Sequence, residues 1–170
     1  IKVFDVNVKQ KYSKASTGYK SIMKIILALA NPSEYIFLDE PVLGLDANHR
    51  HIFNKKLLEA YARRPRTFVI ATHLIEEVAS ILEKVIVIKD GVVTEEVLVE
   101  DVLRKGYVVS GASPLVQEYV ADKKVLETEQ IGNFTRSVVI GAIGEAQPGL
   151  EFSPLTLQDY FISITRKENE

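Results

Sequence analysis

Two short apolar runs, "YIFLD" at 35–39 and "TFVIAT" at 67–72, bracket a segment in which Ile52, Phe53, Leu57, Leu58 and Tyr61 recur at helical spacing. Neither run alternates polar with apolar, which predicts strands buried on both faces, as in a parallel sheet. Joining parallel strands through a helix demands a crossover, so the chain is expected to build a layered α/β fold. Residues 17–30 predict a helix before the first strand, with Ser16 as its cap and Asn31-Pro32 as its end. Its apolar residues run all round, so burial on several sides is expected. Asp46 is placed to cap the helix at 47–62. A third helix is predicted over 74–83, with Glu76 and Glu77 in its first turn, where the helix dipole favours acids. "VIVIKDGVVTEEV" then predicts two strands around an Asp90-Gly91 turn, the first of them continuing the strand–helix alternation.

After Gly106 the pattern changes. "YVVSG" predicts a strand, "SPLVQEYVA" a helix, and "KVLETE" and "RSVVIGAI" two further strands. "SPLTLQDYFISITRK" predicts a last helix, with Thr156 and Asp159 spaced as a capping box and Leu157, Tyr160, Phe161 and Ile164 forming its apolar stripe. Residues 1–105 are therefore assigned to one domain and 106–170 to a small α/β appendage of ferredoxin-like type. For 170 residues this is an ordinary division. A net charge of −2 makes no case for nucleic acid, and the absence of cysteine excludes disulfides and thiolate metal sites. The longest apolar run, "IILALA", is far short of the ~20 residues that a membrane span requires.

The chemistry gathers where the apolar runs end. Asp39 and Glu40 close the first of them, and side chains alternate along a strand, so the two should serve different roles. Asp39 suits Mg²⁺, which takes one or two carboxylates together with phosphates and waters. Glu40 could polarise a water for attack on a phosphoryl group. For an isolated acidic pair, a strand-end salt bridge or a cap for the following turn is the plainer reading. His73 follows the second run directly, at the strand end where open α/β sheets bind ligands; a helix-capping or core histidine is its plainer reading. Ser16, Thr17 and Gly18 open the first helix and could hold an anion on their N–H groups and hydroxyls. Lys9, Lys11, Lys14, Lys20 and Lys24 lie in a stretch free of acids between Asp5 and Glu34, a local positive field suited to a polyphosphate or simply a solvated lysine face. His49 and His51 near Asp46 are read as a solvated helix start, with no metal assigned.

The order "ASTGY", "YIFLDEP", "LGLD", "ATH" resembles the C-terminal half of an ABC-type ATP-binding subunit. "ASTGY" looks like the signature motif usually written LSGGQ, "YIFLDE" like the Walker B strand, "LGLD" like the D-loop and "ATH" like the switch histidine. The helix between the first two motifs and the "LANP" bend fit as well, over about residues 4–91. The resemblance implies a partial P-loop NTPase layered sheet and a transporter motor that uses ATP and Mg²⁺. By position it makes Asp39 the Mg²⁺ residue, usually through water, Glu40 the general base and His73 a γ-phosphate contact. Ser16, Thr17, Gly18 and Tyr19 would face ATP held mainly by a second ATP-binding subunit, and Asp46 would connect the two halves of the dimeric site. Transmembrane permease subunits complete the implied assembly at the cytoplasmic face of the membrane, with no nucleic acid expected.

Three departures qualify it. Ala15, Thr17 and Tyr19 replace the usual Leu, Gly and Gln of the signature, and Thr17 lacks the backbone freedom of glycine. "LGLD" stands for the usual "SALD". Both variants look like those of a subgroup of bacterial transporter ATPases with a similar C-terminal extension. No G-x-x-x-x-G-K-[ST] phosphate loop occurs anywhere, and "GAIGEA" at 141–146 has neither its spacing nor its lysine. The chain is therefore expected to be the C-terminal portion of a longer protein and inactive by itself. A soluble ABC-type ATPase acting on DNA or ribosomes, or a degenerate regulatory module, are the alternative readings.

Overall fold

The strand-helix-strand unit forms as its pattern demands. The computed structural model describes residues 4, 11–145 and 147–166, the side chain of Arg166 excepted. Helix α1 runs Thr17–Ala30, strand β1 Tyr35–Asp39, helix α2 Ala47–Arg63 and strand β2 Thr67–Ala71. β1 and β2 pair in parallel, Tyr35 opposite Thr67 through Asp39 opposite Ala71. The end of β2 leads into a single helical turn, α3, Ile75–Val78, continued by a 3₁₀ turn at Ala79–Ile81. The helix expected over 74–83 is thus shorter and tightens at its end. The chain divides into two compact units, Ile1–Ile81 and Leu82–Glu170.

In the first unit α1 packs on α2 and β1. Ile22, Ile25, Ile36, Leu38, Val42, Leu45, Phe53, Leu57 and Val78 are buried. Arg66, just before β2, carries its guanidinium to the end of α1, where Nη2 donates to the Leu29 carbonyl at 2.8 Å and Nη1 to that of Asn31. A cation on the last carbonyls of a helix satisfies orphan acceptors and opposes the dipole.

Two burial expectations fail. β1 buries only alternate residues: Ile36 and Leu38 face inward, while Tyr35 is 62% and Phe37 75% exposed. Val69 of β2 is exposed too. Nor is α1 covered all round, for Leu27 is 68% exposed. An unalternating apolar strand records what the strand is suited to bury, whereas the described residues of this unit supply a layer for one face only. The third expected strand also departs. Strand β3, Lys84–Lys89, pairs antiparallel with β4, Val92–Leu98, in a sheet separate from β1 and β2. Asp90 and Gly91, at φ 50° and 77°, make the turn between them, positive at both central positions as a type I′ hairpin requires.

The second unit continues with α4 (Val99–Arg104), β5 (Gly106–Ala112), α5 (Ser113–Val120), β6 (Lys124–Ile131), β7 (Phe134–Ile140), β8 (Leu150–Pro154) and α6 (Leu157–Arg166). The sheet order is β6-β7-β5-β8, each neighbour antiparallel. β7 is therefore inserted between the parallel strands β5 and β6, the split βαβ arrangement of ferredoxin-like folds. The second helix, however, follows the fourth strand instead of preceding it, and α4 and β8 were not anticipated. On one face Tyr107, Val109, Val116, Tyr119 and Val139 form a core beneath α5. From β7 toward α6, Arg136 pairs with Asp159 at 2.7 Å. Thr156 caps α6, its hydroxyl accepting from the Asp159 N–H at 3.1 Å.

The half-open sheet is checkable by urea denaturation. Leu38→Ala should lower stability by about 2–5 kcal/mol, because it empties a packed site. Phe37→Ser, two atoms of backbone away in pleat but exposed, should cost less than about 0.5 kcal/mol.

Candidate functional site

The parallel register brings the C-terminal ends of β1 and β2 together, and the pairing continues one step beyond Asp39: the Glu40 N–H donates to the Ala71 carbonyl at 2.8 Å. Glu40 adopts φ 44°, a left-handed conformation unusual for a residue with a Cβ. Its carboxylate is directed onto the exit of β2. Thr72 Oγ1 donates to Oε2 at 2.7 Å, and the His73 backbone N–H and Nδ1 reach Oε1 at 3.1 and 2.7 Å. Burial alone would push the Glu40 pKa up, but the hydrogen bonds from Thr72 and His73 outweigh it and hold the pKa below the usual value. A carboxylate against Nδ1 makes that nitrogen the protonated one. Nε2 is then an acceptor in the neutral ring, and can donate to a phosphate oxygen only in the imidazolium.

Asp39 lies on the open face of β1 and, among the described residues, its carboxylate accepts no hydrogen bond and forms no ion pair. With Glu40, Ser21, Lys24 and Phe37 it lines a cavity of about 530 Å³. Among the described residues no three His, Cys, Asp or Glu side chains converge as a metal cage. One free carboxylate beside a cavity still fits Mg²⁺, whose remaining ligands are characteristically waters and phosphate oxygens.

The second group of expected site residues assembles elsewhere. Ser16 caps α1, its hydroxyl accepting from the Tyr19 N–H at 3.2 Å, and Thr17 is the first helical residue. Asp46 caps α2, accepting from the His49 N–H at 2.9 Å and lying 2.9 Å from His49 Nδ1. These contacts lower the Asp46 pKa, the His49 backbone N–H first. Ser16, Gly18, Tyr19, Asp46 and His49 line a cavity of about 300 Å³. A Cβ placed on Gly18 would stand 2.6 Å from the carbonyl oxygen of Gly44, itself at φ 76°. Gly18 is thus fixed by close approach of the "LGLD" loop, which Ser21 also holds by donating to the Leu43 carbonyl at 3.3 Å. Arg50 anchors the other side of that loop, from Nε to the Leu45 carbonyl at 2.9 Å and through an ion pair to Glu77.

Asp39, Glu40 and His73 therefore meet at one strand end, and Ser16, Gly18, Tyr19 and Asp46 at another place on the same unit. Thr17 borders the first cavity and not the second. Sequence reasoning passed over Thr72 and Gly44. Each had a signal, a hydroxyl immediately before the histidine and a glycine inside a loop between strand and helix.

The chain carries these groups at the C-terminal ends of its two parallel strands. Its fold matches a crystal structure described as a cobalt transport ATP-binding protein (cbiO-2), with a TM-score of 0.55 at 22% identity over 84% of this chain and 51% of that one. The homologues of the chain are ABC transporter ATP-binding proteins. The Nod factor export ATP-binding protein I of Burkholderia orbicola (strain AU 1054) is 28% identical over 93% of the chain and 56% of its own length. The ABC transporter ATP-binding protein YtrB of Bacillus subtilis (strain 168) is 28% identical over 62% of the chain and 36% of its length. The chain spans about half the length of the first of these relatives. No protein-family profile matches it. Among the described residues no helix is long and apolar enough to cross a membrane.

The Gly18 contact gives a direct test. Gly18→Ala must displace the Gly44 carbonyl, since backbone cannot yield cheaply at 2.6 Å, and should destabilise the protein by about 1–3 kcal/mol in a denaturant titration. Ser16→Ala, which removes a helix cap, should cost about 1 kcal/mol.

Proposed function

We propose that the chain is the catalytic-carboxylate half of the ATP-hydrolysing motor of an ABC transporter. The observation that carries this reading is the Glu40 carboxylate at the end of β1, gripped by Thr72 and His73 at the end of β2, beside an Asp39 that has no side-chain partner among the described residues. Asp39 would hold Mg²⁺ through water, and the ion would neutralise charge on the phosphates of ATP. Glu40 accepts the proton of the attacking water as its oxygen bonds to the γ-phosphorus, and the bond to ADP breaks with the electron pair leaving on ADP. The hydrogen bonds from Thr72 and His73 hold its pKa below the usual value, so the carboxylate is ionised at neutral pH and available to accept that proton. His73 contacts the γ-phosphate by donating from Nε2–H as the imidazolium, with Nδ1–H kept on Glu40. Ser16, Thr17, Gly18 and Tyr19 would face the nucleotide of a second ATP-binding subunit, with Asp46 at the junction. That Ser16, Gly18, Tyr19 and Asp46 line a cavity other than the one Glu40 borders supports such a split site, although Thr17 borders the Glu40 cavity.

A phosphate-binding loop must come from outside these 170 residues, which are inactive alone. Residues 1–105 are assigned to the ATPase domain and 106–170 to an extension. The match to the Burkholderia protein over 93% of the chain supports an extension common to both, since so long a match must run into it. The relatives' names favour a transporter, with permease subunits as partners at the cytoplasmic face of the membrane, over a DNA- or ribosome-acting ATPase. The cluster at Glu40 disfavours an idle regulatory module.

In a protein where a phosphate-binding loop precedes this chain, Mg²⁺-dependent ATP turnover should appear. Glu40→Gln should reduce it at least about 100-fold while ATP binding, followed by a fluorescent nucleotide, persists. Undiminished turnover in that variant would remove Glu40 from the mechanism.

A further inference from the structure

An ionised carboxylate offers about four lone-pair positions to donors. Three are taken at Glu40: one on Oε2 by the Thr72 hydroxyl, two on Oε1 by the N–H and Nδ1 of His73. Among the described residues, the one position without a donor is the second on Oε2. The Thr72 hydroxyl is itself oriented, because its oxygen accepts the Leu74 N–H at 3.1 Å and its single proton is thereby turned to Glu40. Both backbone ends are set by the same pairing, with Glu40 N–H on the Ala71 carbonyl. We propose that Thr72 is a positioning residue: it pins Oε2 so that the open lone pair of that atom is the one that receives the attacking water. The inference rests on Glu40 being the general base. Without the hydroxyl, Oε1 alone is held through His73, and the carboxylate is free to rotate about its terminal bond and to turn Oε2 away. When His73 also engages a phosphate oxygen, Thr72 is the donor that keeps the carboxylate in register. A serine preserves this arrangement, whereas valine keeps the shape of threonine and removes the proton.

The test has two readouts. In crystals of the protein that includes a phosphate-binding loop, the Glu40 carboxylate should hold one orientation about its terminal bond in the native protein and in Thr72→Ser, and several orientations in Thr72→Val. A single orientation in Thr72→Val would overturn the proposal. In the protein that includes a phosphate-binding loop, Thr72→Val should lower kcat about 10- to 100-fold with KM for ATP changed less than about twofold, and Thr72→Ser should restore it. A loss carried by KM, or an equal loss in both variants, would also overturn it. Glu40→Gln, measured beside them, separates the two ideas. Full turnover there defeats the general-base reading, whereas normal turnover in Thr72→Val with Glu40→Gln inactive defeats the positioning role alone.

Discussion

Parallel pairing of β1 with β2 is the constraint on which the first unit depends. The strands are joined through α2, and their five-residue register ends with Asp39 opposite Ala71. One residue later, the pairing supplies a carbonyl for the Glu40 N–H and three side-chain or backbone donors for its carboxylate. Slipping the register by one residue would turn Ile36 and Leu38 to the open face and carry Glu40 away from Thr72 and His73 together. The hydrophobic face of the strand and the acid at its tip are therefore specified by the same pairing.

Glu40 illustrates how the local cost is met. A non-glycine residue at positive φ costs on the order of 1–3 kcal/mol and survives only where its surroundings over-determine it. Hydrogen bonds to a charged group contribute roughly 1.5–3 kcal/mol each when well formed, and less where water competes. Three donors on the carboxylate and one acceptor for the N–H offset the strain even with a discount for partial exposure. The strained backbone turns the side chain away from the alternation of β1 and onto β2, while Asp39 stays on the open face of β1.

How far this was legible depended on the range of the interaction. Capping is local: Ser16, Asp46 and Thr156 were all readable from a few residues, and each caps the helix expected of it. The Asp90-Gly91 turn was likewise local. The acidic pair and His73 were readable as motifs, but their meeting depends on a pairing between residues more than thirty apart. Thr72 was hidden because a threonine at the end of an apolar strand has many ordinary explanations. Burial was the poorest guide. The run "YIFLD" looks two-sided because Tyr35 and Phe37 are apolar, yet apolarity cannot report whether the covering layer belongs to the described residues. β8 escaped because "LEFSP" is short and borders a helix signal, and α4 because six residues give hardly two turns of periodicity.

The glycine of the signature stretch gains a second meaning from Gly44. A motif residue suited to a phosphate is usually explained by what the ligand needs, here an approach to backbone N–H groups. In this unit the space beside Gly18 is already occupied by a backbone carbonyl of the "LGLD" loop, and no side chain can enter it without moving that loop. The packing of the loop by itself requires the glycine. Thr17, beside it, does not crowd the loop: even a Cβ built on Gly44 would stand 3.6 Å from the Thr17 methyl, an ordinary van der Waals distance. The altered signature is thus compatible with intact packing. Since Asp46 caps α2 only two residues after Gly44, a shift at Gly18 would reach the α2 N-terminus through the loop as well as through the packing of α1 on α2, coupling the two stretches within the unit.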